Sequence, residues 1–530
     1  MDLRLAVPAL AAWVMAWQGR LIPPLALAVA ALVLVLAGAA VLVLSRAWVA
    51  PLVAATLACA AASGLASAAR VHSRTTGPVA DAARARSPVT VEGVLVDDPR
   101  DVPPKKDVLA FRPLVAARLR VDRLEVAGRA FRVRQTVLVL SSDDGWLGLL
   151  PSQRVRAEGR LQDPGPGSDV AAVMSARTPV TRGPPSLVQR VAGSLRSGLL
   201  RATAGLPHDE RGLLPGLVDG DTSRLDPRLR DDFRLVGLTH LVAVSGTNVA
   251  VVLAAALLVC GWLGVARRAR APVAGLVLLG FVVLARPSPS VLRAAAMGVI
   301  ALIALATGSR RQAMPALCAA VLGLVLLSPD IAAQPGFALS TLATAGLLVV
   351  APVWRERLAR TLPEWLAEAL AVPAAAQLVC TPVVVALSGQ LGLLAVPANL
   401  LAVPAVAPAT VLGVLSALVA PVWLPAAKAL AWAAWLPTHW LVVVAHVGAH
   451  QPGAGVTVAS GWTGTAIALA LIAAGTVVVR SPQLRRGVAA VAVGSVVAML
   501  VLVVVRPGWP PPGWVLASCD VGQGIHSQKR

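Results

Sequence analysis

The chain has no tyrosine and five phenylalanines, and only 14% of its 530 residues are charged. Soluble domains carry about 25% charged residues and about 45–50% apolar ones. Here 57% of the residues are hydrophobic, a balance that excludes a soluble globular protein and, equally, a disordered or fibrous one. Five cysteines, Cys59, Cys260, Cys318, Cys380 and Cys519, stand singly with no CxxC spacing, so we read neither a disulfide framework nor a zinc site. No GxxxxGK[ST] run occurs, which removes a nucleotide-driven motor of the P-loop kind. Carboxylates are scarcest where a coupled carrier would need them. Between His240 and Arg506 only four occur, Asp330, Glu356, Glu364 and Glu368, all in loops or at the ends of apolar runs. Proton- and sodium-coupled carriers generally use an intramembrane carboxylate, so this pattern weighs against one.

What the sequence has in abundance is apolar runs. Three come first, at 3–18, 21–45 and 47–69, and ten more follow a polar segment, at 240–262, 271–286, 288–307, 312–328, 336–353, 366–388, 393–419, 428–448, 460–479 and 487–505. Crossing ~30 Å of hydrocarbon takes ~20 helical residues. Several runs are shorter, so about 13 spans are predicted, within a range of 10 to 13. The first run could pass for a signal peptide, but further apolar runs follow at once, and an uncleaved first span is the better reading. The 393–419 run contains Pro397, Pro404 and Pro408 and is predicted to be kinked or re-entrant. Trp48, Trp262, Trp354, Trp365, Trp462 and Trp509 fall at run ends and read as interface anchors.

Charge placement adds an orientation. The formal net charge is +21, and between the apolar runs arginines cluster at Arg267, Arg268 and Arg270, at Arg310 and Arg311, at Arg355, Arg357 and Arg360, and at Arg480, Arg485 and Arg486. The loops at Asp330, Gly389 and Gly453 are poor in them. Placing the basic loops in the cytoplasm puts the N-terminus inside and both the polar segment and the C-terminus outside.

Within the polar segment, Val89–Val96, Ala117–Val126, Val133–Leu140 and Val155–Leu161 show β-like patterns separated by turn signals such as Ala127-Gly128 and Asp163-Pro164-Gly165. Several short strands in this space predict a small barrel or sandwich, and five-stranded OB-type barrels have the right size. From Ser186 the period becomes helical. Val188, Val191, Leu195 and Leu199 share one face, which predicts an amphipathic helix on the membrane surface. The segment from Arg70 to Thr239 holds 27 basic and 20 acidic residues. That excess is modest for a nucleic-acid binder, and Phe111, Phe131, Trp146 and Phe233 are its only aromatic residues.

The polar groups within or beside the spans are neutral or basic: His240, Ser245, Thr247, Asn248, Arg293, Ser340, Thr341, Thr344, Gln377 and Asn399. Such a set can line a wet path for an anion or simply bond one helix to another. A His240–Ser245 hydrolytic pair lacks a fixed carboxylate and a nucleophile elbow. Arg293 lies about six residues into an apolar run, where its charge costs up to ~3 kcal/mol; it either snorkels to the interface or faces water used by a phosphate backbone.

The stretch GLTHLVAVSGTNVAVV, residues 237–252, resembles the signature of the ComEC family, inner-membrane channels that import single-stranded DNA into competent bacteria. Further echoes follow in order: Pro289-Ser290-Val291-Leu292-Arg293-Ala294, Gln334-Pro335-Gly336-Phe337-Ala338-Leu339-Ser340, Ala376-Gln377, Thr381-Pro382 and Pro397-Ala398-Asn399. Cys519-Asp520-Val521-Gly522-Gln523-Gly524 is similar to the opening strand of that family's metallo-β-lactamase-like domain, after which this sequence reads only Ile525 to Arg530. One His526 cannot supply the ligands for metal-dependent hydrolysis, so no enzymatic activity, metal or other cofactor is expected of this chain.

The resemblance implies a polytopic α-helical membrane protein with an external OB-like barrel. Residues 1–69 would form three N-terminal transmembrane helices, 70–185 the OB-like domain, 186–239 the amphipathic segment, 240–506 the channel, and 507–530 a remnant of the lactamase-like domain. It implies import of single-stranded DNA across the bacterial inner membrane during natural transformation, past His240, Ser245, Gly246, Asn248, Arg293, Gln377 and Asn399. Implied partners are single-stranded DNA, the lipid bilayer, a DNA receptor, a cytoplasmic motor or strand-binding protein, and a separate nuclease. A transporter of another anionic or lipid-like substrate, or a non-functional truncated remnant, stays open beside this reading.

Overall fold

A computed structural model describes residues 4–45, 47–102, 114–165, 167–242, 244–286, 289–307, 313–451, 454–481, 516–520 and 525–529. The first apolar runs form α1 (Ala6–Gln18), α2 (Pro24–Leu44) and α3 (Ala50–Thr75). Small residues let these helices approach closely: Ala12, Ala16, Ser63 and Gly64 are buried, and Ser63 Oγ donates to the Ala12 carbonyl at 2.7 Å. The third helix outruns its apolar stretch, and Arg74 in its last turn pairs with Asp330, Nη1 to Oδ1 at 2.7 Å.

The polar segment folds into a short helix, α4 (Pro78–Arg84), and a mixed β-sheet domain. Its strands are β1 (Pro88–Leu95), β2 (Arg100–Val102), β3 (Leu114–Val126), β4 (Arg129–Ser141), β5 (Arg154–Gln162), β6 (Ala172–Ala176) and β7 (Val180–Thr181). The predicted strands all appear; β2, β6 and β7 are additional and too short to leave a period in the sequence. Antiparallel pairing joins β1 to β3 on one edge and to β5 on the other. β3 and β4 form a hairpin through Ala127 and Gly128, both at positive φ; β4 runs parallel to β6, and β6 antiparallel to β5. Alternate residues, among them Val91, Leu119, Leu124, Val137, Leu161 and Met174, close over Trp146 in a common core.

Four helices lead back to the apolar runs: α5 (Leu187–Ala202), α6 (His208–Asp219), α7 (Pro227–Leu235) and α8 (Thr239–Val242). Ser186 caps α5 through the Gln189 amide. The predicted apolar face of α5 divides: Val188 and Val191 are exposed, while Leu199 is buried with Ala417 and Ala420. The helix is therefore amphipathic along its length as well as around it, with its C-terminal half inside the helical core.

The helical core comprises α9 (Gly246–Trp262), α10 (Arg267–Ala285), α11 (Pro289–Thr307), α12 (Ala313–Leu327), α13 (Pro335–Leu358), α14 (Glu364–Ser388), α15 (Ala395–Val419), α16 (Leu424–Ala449) and α17 (Gly461–Arg480). Among the described residues seven helices, α2, α3, α10 and α13 to α16, are long and apolar enough to cross a membrane, and five shorter apolar helices accompany them. The predicted span at 487–505 lies outside the described residues. The 393–419 run does not break or re-enter: α15 is continuous through Pro404 and Pro408. From the facing helix, Trp440 Nε1 of α16 donates to the Leu401 carbonyl at 2.7 Å, in the turn that precedes Pro404. Trp48, Trp262, Trp365 and Trp462 are exposed at helix ends, where interface anchors belong.

Two of the arginine-poor loops lie beside the β domain and its following helices: Asp330 meets Arg74 of α3, which also donates to the Ser168 carbonyl between β5 and β6 at 3.4 Å, and Gly392 packs on the Leu235 carbonyl next to the ladder joining Gln390–Leu391 to Val456–Thr457. The turn between α10 and α11 reaches the same domain, where Arg286 meets Asp98. Near the end of the chain, residues 516–520 and 525–529 pair as an antiparallel hairpin; residues 521–524 lie outside the described ones.

Candidate functional site

The run from Gly237 to Asn248 links the charged helix α7 to the apolar helix α9. Gly237 has φ +72, and a Cβ there would stand 2.6 Å from that of Ala395, so only glycine lets this turn rest on the start of α15. Ser245 then caps α9: its Oγ receives the Asn248 amide at 3.4 Å and donates to Asn248 Oδ1 at 3.2 Å. Asn248 is wholly buried, and its Nδ2 donates to the Leu217 carbonyl of α6 at 2.7 Å. The two polar residues thus anchor the first turn of α9 to α6.

Gly246, between them, faces Arg293 of α11: a Cβ at Gly246 would meet Arg293 Nη2 at 3.2 Å. Arg293 is 5% exposed. Its Nε donates to Ser340 Oγ at 2.9 Å and its Nη1 to Thr344 Oγ1 at 2.9 Å, while Nη2 also reaches Ser340 and Met297 Sδ lies 3.3 Å from Nη1. Among the described residues no carboxylate pairs with this guanidinium, although a buried charge is costly unless compensated. The N-terminus of α9 adds its positive end to the same place. Next to Ser340, the Thr341 hydroxyl is buried without a partner. A guanidinium, a helix N-terminus and hydroxyls come together here with no carboxylate among the described residues, an arrangement whose chemistry can hold an anion.

The remaining predicted residues flank the turn. Gln377 of α14 brings its Oε1 within 4.0 Å of the Cβ position at Gly237, and Asn399 Nδ2 donates to the Ala395 carbonyl within α15 at 2.8 Å. His240 is exposed. Two groups therefore lie along one run: Ser245, Gly246, Asn248 and Arg293 at α9, and Gln377 and Asn399 at the Gly237 turn. Sequence reasoning did not single out Ser340 and Thr344 as partners of Arg293, although their spacing places both on one face of α13.

A second charged assembly joins the β domain to this core. Asp98 receives Arg286 at 2.7 Å on both oxygens and Arg196 at 3.5 Å. Arg196 in turn donates to the carbonyls of Asp219 at 2.7 Å and Leu284 at 3.0 Å. Burial pushes the Asp219 carboxyl up to about 6, opposed by Arg196 at 3.9 Å and the Asp221 amide. A cleft of about 470 Å³ is lined by Ala204, His208, Arg211 and Arg224.

A family model described as Competence protein matches residues 217–483, half of the chain, beginning at the residue whose carbonyl holds Asn248. The chain is also similar to ComE operon protein 3 of Bacillus subtilis (strain 168), at 28% identity over 227 residues. That alignment covers 42% of this chain and 29% of the relative, so the chain spans less than a third of the curated protein it matches. No solved structure matches.

Proposed function

This chain belongs to the competence protein family, and from that premise we propose that it is the conduit through which single-stranded DNA crosses the bacterial inner membrane during natural transformation. The observation that carries the proposal is Arg293, a guanidinium buried among hydroxyls with no described carboxylate beside it. A moving phosphate backbone needs weak, repeated contacts, because one deep site would halt transit. Hydroxyls and a partly satisfied arginine supply such contacts. On this reading Arg293, Ser340, Gly246 and the start of α9 touch the strand, His240, Gln377 and Asn399 border the same path, and Ser245 and Asn248 hold its wall.

The β domain receives the strand before the helices do. Its pairings run from β1 through β3, β4, β6 and β5 back to β1, which supports an OB-like barrel. On its β3–β4 hairpin Arg123 and Arg132 stand directly opposite each other, and Glu92 of β1 faces Arg123 on its other side, so Arg132 is the cation of this pair left to meet a polyanion. Contacts of the β domain and the following helices with the arginine-poor loops support an orientation in which this face is external and the basic loops are cytoplasmic. On this reading the helical core conducts, a cytoplasmic motor or strand-binding protein pulls, and a nuclease trims.

The test is uptake of labelled DNA in a host deleted for this gene, complemented with this chain alone or with a separately expressed metal-dependent hydrolase domain. Restoration in either arm supports the conduit. Failure of both, with the protein present in the membrane, sinks the proposal in favour of another anionic or lipid-like substrate or a remnant.

A further inference from the structure

Three side chains with no part in the Arg293 site meet where α7 crosses the end of α16. His446 and His450 stand one turn apart on α16, with ring centroids 4.4 Å apart and planes at 50°. Asp232 of α7 faces them, and one ligand-capable atom from each of the three lies within 4.8 Å of the others. Holding α7 in place does not require this triad, because Leu229, Phe233 and Val236 already pack against Leu441, Val442 and Ala445 in an apolar cluster.

Hydrogen bonding sets the state of both rings. His446 Nδ1 lies 3.0 Å from Asp232 Oδ2, and His450 Nδ1 lies 2.7 Å from the His446 carbonyl oxygen. An ionised carboxylate and a carbonyl only accept, so each Nδ1 donates and, in the neutral ring, each Nε2 keeps its lone pair. A histidine that donates from one nitrogen to a carboxylate or backbone carbonyl and offers the other outward has the tautomer and orientation of a metal ligand. Spacing of four residues puts the two rings on one helical face. Both rings are exposed, whereas the Asp232 side chain is mostly shielded, which leaves the ligand atoms accessible and the orienting group fixed.

We infer that His446, oriented by Asp232, and His450, oriented by the His446 carbonyl, bind a divalent transition-metal ion of the zinc class at this end of α16. Imidazole suits Zn²⁺, Ni²⁺ and Cu²⁺ and disfavours Mg²⁺ and Ca²⁺. Two imidazole ligands leave positions for water. Bound at His446 Nε2, the ion polarises the Nδ1–H that donates to Asp232 and so strengthens the hydrogen bond between α16 and α7, the helix that leads into the Gly237 turn, whatever passes along the path. The neighbouring group His208, Asp209 and Asp226 has one imidazole and serves as the control.

The full chain, purified in detergent with a histidine-free affinity tag and stripped with chelator, is titrated with Zn²⁺ against a chromogenic competitor. One equivalent binds the unaltered chain. The double variant His446→Ala/His450→Ala loses that equivalent, Asp232→Asn weakens it about tenfold or more, and His208→Ala leaves it intact. Thermal melting without metal checks that each variant is folded. Equal Zn²⁺ binding by the unaltered chain and the double variant, no binding by the unaltered chain, or loss on His208→Ala overturns the assignment.

Discussion

Arg286 grips both carboxylate oxygens of Asp98 at 2.7 Å across 188 positions of sequence, tying the turn between α10 and α11 to the β domain. The arginine holds φ 64 and ψ 148, a region that side chains rarely occupy and that costs about 1–3 kcal/mol unless its surroundings enforce it. Asp98 also receives Arg196, so one carboxylate serves two guanidinium groups. Asp98→Asn should loosen the β domain from the helical core by about 2 kcal/mol, the worth of charge-assisted hydrogen bonds at a partly shielded pair. Hydrogen exchange at residues 94–98 and 281–286 reads this directly, and unchanged protection would show the pair to be incidental.

Asp219 gives a stability profile with a definite sign. Its carboxyl is raised from 3.8 to about 6 by burial, so the folded state binds a proton more tightly than the unfolded chain does. Stability is therefore full below pH ~4, falls as pH rises toward ~6, and levels off above that. Asp219→Asn should flatten this window and raise stability at pH 7 by up to about 3 kcal/mol. Melting in detergent across the range decides it, and a variant with an unchanged slope counts against the burial argument.

Asn248 belongs to the wall of the path. Removing its side chain leaves the buried Leu217 carbonyl unpaired, so Asn248→Ala should cost about 1–3 kcal/mol and lower membrane abundance along with uptake. If abundance and melting stay unchanged while uptake falls, Asn248 touches the strand instead.

Gly246 marks the closest approach of α9 to Arg293. In Gly246→Ala the new methyl meets Nη2 at 3.2 Å, and the guanidinium must shift by a few tenths of an ångström. In Gly246→Val the shift is larger and the anion position is filled. Uptake should fall in that order at constant abundance. Equal uptake by Gly246→Val would place the path elsewhere.

Most of the helices were legible because burying apolar runs in a bilayer leaves hydropathy as the dominant signal; α12, α14 and α17 start and end within about two residues of the predicted runs. The continuity of α15 was not legible, because whether a helix runs on through its prolines depends on the helices packed against it, here α16. Nor was the division of α5, since which half of an amphipathic helix is covered depends on α15 and α16. Within the site, Arg293 stood out by its cost, and the Ser245 and Gly246 positions by their residue types. Its partners Ser340 and Thr344 did not, because nothing local says which face of α13 turns toward α11. The Asp98–Arg286 contact joins distant segments and has no periodic trace.

The claim that matters most is that Arg293 contacts the passing anion. The measurement is transformation and labelled-DNA uptake by Arg293→Ala and Arg293→Lys at matched membrane abundance. The account predicts a drop of about tenfold or more for Arg293→Ala, the loss of one charge-assisted contact of roughly 1.5–3 kcal/mol, and partial retention by Arg293→Lys, which keeps the charge but not the fork. Uptake by Arg293→Ala equal to that of the unaltered chain at equal abundance would contradict it.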